Sequence, residues 1–170
     1  DTIAGTIYNA FTMRLAREFC LRVIPDADLA HRYLDGADNG FLEHVTTPWR
    51  WHSHLLELWD QADEELIGGR WDDLVLASLK LALDDLTDQY GAGQSAWRWG
   101  AVHRLGFPHL LADGSPVFDR LFSRSVEIGG GHETICQVAY NPVDPYKGIW
   151  APSWRMVADP CDPEGARWQT

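Results

Sequence analysis

Apolar residues recur at three- and four-residue steps through the first half of the chain and keep no steady step through the second. Over residues 2–23 the positions Ile3, Ile7, Ala10, Phe11, Leu15, Phe19 and Val23 follow one helical stripe, with Arg14, Arg17, Glu18 and Arg22 largely off it. Pro25 ends this helix. Asp26 is placed to cap a second one running to Leu34, with Gly36 at its C-terminal stop. A polar loop carrying Asp35, Asp38, Asn39 and Gly40 follows. Thr47-Pro48 reads as the next helix start, because a hydroxyl N-cap followed by proline suits the first helical position. That helix is predicted to carry Trp51, Leu55, Leu58, Trp59 and Leu66 up to Gly68-Gly69. Asp72 then caps a predicted helix over 73–90, with Leu76, Leu79, Leu83, Leu86 and Tyr90 as its stripe and Gly91 and Gly93 closing it.

After Gly91 the texture changes. Residues 91–170 hold seven of the nine prolines and ten of the fifteen glycines, which predicts mostly loop with short strands. Residues 134–140 and 154–159 are the best strand candidates. The expected fold class is therefore α+β: a helical subdomain over 1–90, then a loop-rich segment with short antiparallel strands over 91–170. The chain shows no internal repeat and no low-complexity linker.

Composition narrows the function. The 170 residues are 45% hydrophobic and 23% charged, enough for one substantial core, with a mean hydropathy of −0.27. The longest apolar run, 74–83, is interrupted by Lys80 and falls short of a membrane span, so no membrane partner is expected. Asp1 opens without a basic start or an apolar region, so no signal peptide is predicted. A net charge of −11 argues against nucleic acid as a partner. The acidity is lopsided: residues 1–90 carry 17 acidic against 7 basic side chains, and residues 91–170 carry 8 against 7. Cys20, Cys136 and Cys161 have no metal-ligand spacing; one bridge, Cys136–Cys161, and buried free thiols are both open.

The candidate motifs resolve mostly to structure. Gly129-Gly130-Gly131 lacks the Gly-Lys-Ser/Thr ending of a phosphate loop and reads as a turn. His52-x-His54, with His44 and Glu57 nearby, invites a metal-dependent hydrolase. On a helix, however, positions two apart point about 200° from each other. Asp60, Asp63, Glu64 and Glu65, like Asp84, Asp85 and Asp88, read as solvated helix surface, and none has calcium-loop spacing. No Gly-x-Ser-x-Gly elbow is present, and read alone the residues assemble no catalytic constellation.

The second half carries a set of motifs in a recognisable order. Trp97-Arg-Trp-Gly-Ala-Val-His103 resembles the W-x-W-G-x-x-H segment late in the large chain of the penicillin acylase (penicillin amidase) family. Residues 116–124, Pro-Val-Phe-Asp-Arg-Leu-Phe-Ser-Arg, resemble its L-x-x-L-F-x-R stretch. Residues 126–134 are similar to its P-V-G-G-D-G-x-T turn, and 137–140 to the N-x-A-x-Y strand after it. Ala-Pro-Ser-Trp-Arg-Met-Val-Ala-Asp at 151–159 is close to G-P-S-Y-R-M-V-V-D, the most specific match. The opening Thr6-Ile-Tyr-Asn-Ala-Phe11 and the leucine-rich 74–86 resemble the family's helices more weakly. His132 and Trp154 depart from the pattern and read as packing variation.

The resemblance implies an N-terminal-nucleophile amide hydrolase. In that family a precursor cuts itself, and the new N-terminal Ser attacks an acyl amide with its own α-amine as base, while backbone and Asn donors hold the oxyanion. The nucleophile, the oxyanion Asn and the calcium ligands belong upstream of a segment like this one, so no catalytic, cofactor or metal residue is assigned here. The chain reads as a C-terminal piece of the large chain, stopping short of the family's G-G-Q-S-G ending and inactive alone. Its partners would be the remainder of the parent acylase and, for the parent, an N-acyl substrate. The resemblance suggests a periplasmic or secreted home. Trp99, Gly100, His103, Gly129, Gly130, Ser153 and Arg155 are the structural candidates, with His103 and Arg155 expected as buried, hydrogen-bonded organisers. The alternative is a helical interaction module whose Trp49, Trp51, Trp59 and Trp71 form a partner surface.

Overall fold

The computed structural model describes residues 2–35, 51–131, 134–141, 144–152, 155–159 and 161–169. Helix α1, Ile3–Val23, starts where Thr2 accepts a hydrogen bond from the Gly5 amide, 3.0 Å. Helix α2, Ala27–Asp35, is capped by Asp26, whose Oδ1 accepts from the Leu29 amide at 3.0 Å. The predicted start at Thr47-Pro48 lies outside the described residues.

The expected single helix to Gly68 is instead two. Helix α3, Trp51–Gln61, stops as Ala62 takes a φ of 52°, and α4, Glu64–Ile67, begins on Asp63. The physical reason is local capping: Asp63 Oδ1 accepts from the Leu66 amide at 3.0 Å and starts a new helix where the old one would have run on. Gly68 then closes α4 in the left-handed conformation.

Helix α5 spans Trp71–Tyr90, starting two residues before the predicted position. Arg70 rather than Asp72 is its N-cap. Asp72 lies in the first turn, where it suits the positive end of the helix and pairs with Arg70 at 3.2 Å. The buried face also differs from the predicted stripe. Trp71, Leu74, Ser78, Ala82 and Leu86 are buried, while Leu76 is 64% exposed. Small Ser78 and Ala82 let α1 pack closely along α5.

Two apolar clusters meet on α1. Leu15, Ala16, Phe19 and Cys20 join Leu34, Leu55, Ile67, Trp71 and Leu74. Toward the start of α1, Ala10 joins Ala82, Leu86, Trp97, Trp99, Val102 and Tyr146. Trp71 stacks on Phe19, and its Nε1–H donates to the Asp63 carbonyl at 3.0 Å. Trp59 packs half-buried against the same cluster. Trp71 is therefore core and Trp59 lies partly covered against it, which corrects the expectation of a four-Trp partner surface; Trp49 and the Trp51 side chain lie outside the described residues.

After α5 come the one-turn helix α6, Trp99–Val102, and strand β1, Arg104–Phe107. Helix α7, Pro116–Phe122, is capped by Ser115 and has Pro116 in its first turn. Strands β2, Arg124–Glu127, β3, Ala139–Asn141, and β4, Asp144–Trp150, complete a sheet in the order β2-β1-β4-β3. The expectation of antiparallel strands holds for β1–β2 and β3–β4, but β1 and β4 run parallel, with Arg104 opposite Lys147 and Leu105 opposite Gly148. The long excursion from 108 to 143 gives the chain room for the crossover that parallel pairing requires.

Of the predicted strand over 134–140, only its end enters β3. Thr134 holds the rest in a bend by bonding its own backbone neighbours. Strands β5, Arg155–Asp159, and β6, Asp162–Gln169, pair antiparallel as a separate two-stranded sheet, so the strand after the Arg-Met-Val motif already has its partner within the chain. The fold is α+β.

Candidate functional site

Five of the seven candidate residues converge where α6, β1 and the glycine turn meet. Helix α6 is too short to be stable alone, and Trp97 just before it and Trp99 at its start anchor it. Trp97 is 3% exposed and donates Nε1–H to the Gly91 carbonyl at 2.9 Å. Trp99, 4% exposed, sends its Nε1–H to the Gly130 carbonyl. Gly100 is buried in the same turn.

His103 follows directly and is fully buried. Its ring stacks on Trp99 with centroids 4.3 Å apart and planes 18° from parallel. Nδ1 lies 3.2 Å from the Ile128 carbonyl, an acceptor, which assigns the proton to Nδ1. The backbones of the two residues also pair: the Ile128 amide donates to the His103 carbonyl at 3.1 Å, extending the β1–β2 ladder by one step. Burial pushes the His103 pKa below the ordinary histidine value, opposed by the bond to Ile128, so the ring is neutral near pH 7.

The glycine turn is built to receive these groups. Gly130 has a φ of +84°, and a Cβ there would run into the Cys136 carbonyl. Gly129 has no such constraint; a Cβ there meets nothing within 4 Å. The Gly131 amide donates to Thr134 Oγ1 at 2.8 Å, Thr134 Oγ1 donates to the Cys136 carbonyl at 2.7 Å, and the Val138 amide donates to the Gly131 carbonyl at 3.0 Å. Thr134 is therefore the residue that closes the turn. The signal for it was a hydroxyl three residues beyond the last glycine. From α1, Asn9 comes close as well: a Cβ on Gly131 would lie 3.3 Å from its Oδ1.

Arg155 opens β5 opposite Gln169, in the second sheet, and Ser153 lies outside the described residues. None of the three cysteines is in a disulfide: Cys20 is buried, Cys136 half-buried and Cys161 exposed. His54 pairs with Glu57 at 3.5 Å on α3. Among the described residues no three His, Cys, Asp or Glu side chains gather as a metal site, and no helix is long and apolar enough to cross a membrane. Chemically, the joint can lock two chain segments, with a neutral imidazole as its centre.

No curated protein matches the chain. A family model does: that of penicillin amidase, over residues 1–170. The W-x-W-G-x-x-H segment and the glycine turn, which the 116–124 stretch separates along the chain, are joined in space through Trp99, His103, Ile128 and Gly130. Given a match over its whole length, the chain belongs to the penicillin amidase family.

Proposed function

We propose that this chain is the C-terminal part of the large chain of a penicillin-acylase-like amidohydrolase, which cleaves N-acyl amides with an N-terminal Ser outside these residues. The family match over 1–170 carries this reading. Its parts are a helical layer over 1–90 and a loop-rich segment over 91–170, contributed to a composite N-terminal-nucleophile fold. No cofactor is assigned to this chain, and the calcium ligands belong to the upstream part.

A second feature supports the need for neighbouring protein. Leu110, Leu111, Val117, Phe118, Leu121 and Phe122 are 45–94% exposed on one short stretch around α7. Such a concentration of apolar side chains is a contact surface rather than a solvated one. On this reading it packs on the rest of the acylase, and the Trp99–His103–Gly130 joint backs the core without touching substrate.

The test is hydrolysis of phenylacetyl and long-chain acyl amides by the full-length protein and by residues 1–170 alone. Acid release by the full-length protein, abolished when its N-terminal Ser is replaced and absent from the fragment, is the expected result. Equal turnover by the fragment would overturn the proposal.

A further inference from the structure

A groove of about 720 Å3 opens between β1, α7 and β4. Its lining contains Arg104, Arg120, Arg124 and Lys147 against one carboxylate, Asp119, on a chain whose net charge is −11. Such a local reversal of sign focuses a positive potential in the cleft.

The cations are arranged in a way the sheet alone does not favour. Arg104 and Lys147 are directly opposed positions of the parallel pair β1–β4, and like charges placed so repel. Glu127, across the ladder on the other side of Arg104, is shared between Arg104 and Arg98, at 3.6 Å from each. Among the described residues neither Arg120 nor Lys147 takes an ion-pair partner.

Two of the guanidinium groups are held in place by the protein. Arg104 donates to the Ser125 hydroxyl and carbonyl at 3.2 and 3.1 Å. Arg124 donates to the Leu121 and Ser123 carbonyls at 3.0 and 2.9 Å, at the C-terminal end of α7. Donors oriented before a ligand arrives lose little freedom when it binds. The space beside Gly106, in the groove's lining, is open: a Cβ there would meet nothing within 4 Å. Phe107, 53% exposed, gives the groove an aromatic side.

We propose that this groove binds a small aryl oxyanion, a molecule with a carboxylate or phosphate head and an aromatic body. The head lies between Lys147, Arg120 and the fixed guanidinium groups, which match carboxylate and phosphate oxygens alike. The ring lies against Phe107. The anion offsets the charge of Lys147 and Arg120, which no carboxylate among the described residues pairs, and this is what makes its binding favourable. The site stands apart from the amide hydrolysis proposed above and does not depend on it.

Calorimetric titration of the full-length protein tests this, with benzoate, phenyl phosphate, inorganic phosphate and the neutral benzyl alcohol as probes. Benzoate or phenyl phosphate is expected to bind at least about tenfold more tightly than benzyl alcohol and to weaken steeply with added salt. The stronger of the two identifies the head group. Lys147→Glu and the milder Lys147→Gln are both expected to weaken binding, the reversal by about tenfold or more, as is Arg120→Glu. Lys80→Glu, at an exposed position of α5, is expected to leave it unchanged. Equal binding of benzyl alcohol, indifference to both Lys147 variants, or no binding of either aryl anion at about 10 mM would each overturn the proposal. Inorganic phosphate binding as tightly as phenyl phosphate would overturn the aromatic half of it.

Discussion

Replacing Gly130 by Ala separates the two demands that a turn makes on a glycine, conformation and space. At φ +84° an L-residue is strained by about 1–2 kcal/mol. The new methyl would also meet the Cys136 carbonyl group, whose carbon lies 3.0 Å away, and this neighbour is backbone tied down by Thr134. Forcing a methyl into such a place costs about 1–3 kcal/mol more. Moving the Gly130 carbonyl to make room loses the Trp99 indole hydrogen bond, about 1 kcal/mol. The expected loss is therefore about 3–6 kcal/mol. Two controls isolate the terms. Gly68 has a φ of 61° and open space around a Cβ, so Gly68→Ala should cost only the conformational part, about 1–2 kcal/mol. Gly129 has neither constraint, so Gly129→Ala should stay within about 0.5 kcal/mol. Urea unfolding followed by Trp fluorescence reads all three. With a slope of about 2 kcal/mol/M, the Gly130 variant should move the midpoint down by about 2 M. A midpoint for Gly130→Ala no lower than that of Gly68→Ala would refute the argument, because the steric part would then be absent.

Burial raises the Cys20 thiol pKa from 9.0 to about 11, so at a given pH its thiolate fraction is about 100-fold lower than an unshifted thiol's. Timed alkylation with mass-spectrometric mapping at pH 8 should label exposed Cys161 long before Cys20; equal rates would show that Cys20 is not enclosed. His103 has a folded pKa below its unfolded value, so its contribution to stability is present above about pH 6.5 and is lost as pH falls, since the unfolded chain takes up a proton the folded ring refuses. Thermal unfolding from pH 7.5 to 5 should therefore show an acid-side decline that is shallower in His103→Phe, on top of a pH-independent cost of about 1–3 kcal/mol for the stranded Ile128 carbonyl. An unchanged slope would remove His103 from the acid response. Asp63→Ala should cost about 1 kcal/mol by uncapping α4, whereas Asp60→Ala, at an exposed position of α3, should be near neutral by the same unfolding assay.

The helices were legible because their signals are local. Asp26 caps α2 through an amide three residues away, and Pro25 and Gly91 act on their own segments. The face of α5 was less legible, since leucines at 74, 76, 79, 81, 83 and 86 surround much of the helix and period alone does not rank them. What decides the buried side is the close approach of α1 over Ser78 and Ala82. The break at Ala62 was hidden among several acidic residues, any of which is a chemically adequate cap.

Strands β1 and β2 escaped notice because each is four residues long, and the parallel partner of β1 lies beyond residue 143. At the joint, the three glycines announced a turn without saying which one is indispensable. That depends on where the Cys136 carbonyl returns, a fact of tertiary geometry. The pairing of Arg104 with Lys147 is likewise invisible along the chain, where 43 positions separate them.

The position of α1 between two clusters has a consequence for the order in which the chain assembles. The partners of Leu15, Phe19 and Cys20 have all been synthesised once Leu74 has emerged, so that side of α1 can be buried early on the ribosome. The side bearing Ala10 needs Trp97, Trp99, Val102 and, last, Tyr146. Ile3 and Ile7, which pack against that second cluster, therefore wait for most of the chain. One helix is thus completed at two times, and its N-terminal end is the segment a chaperone would find uncovered the longest.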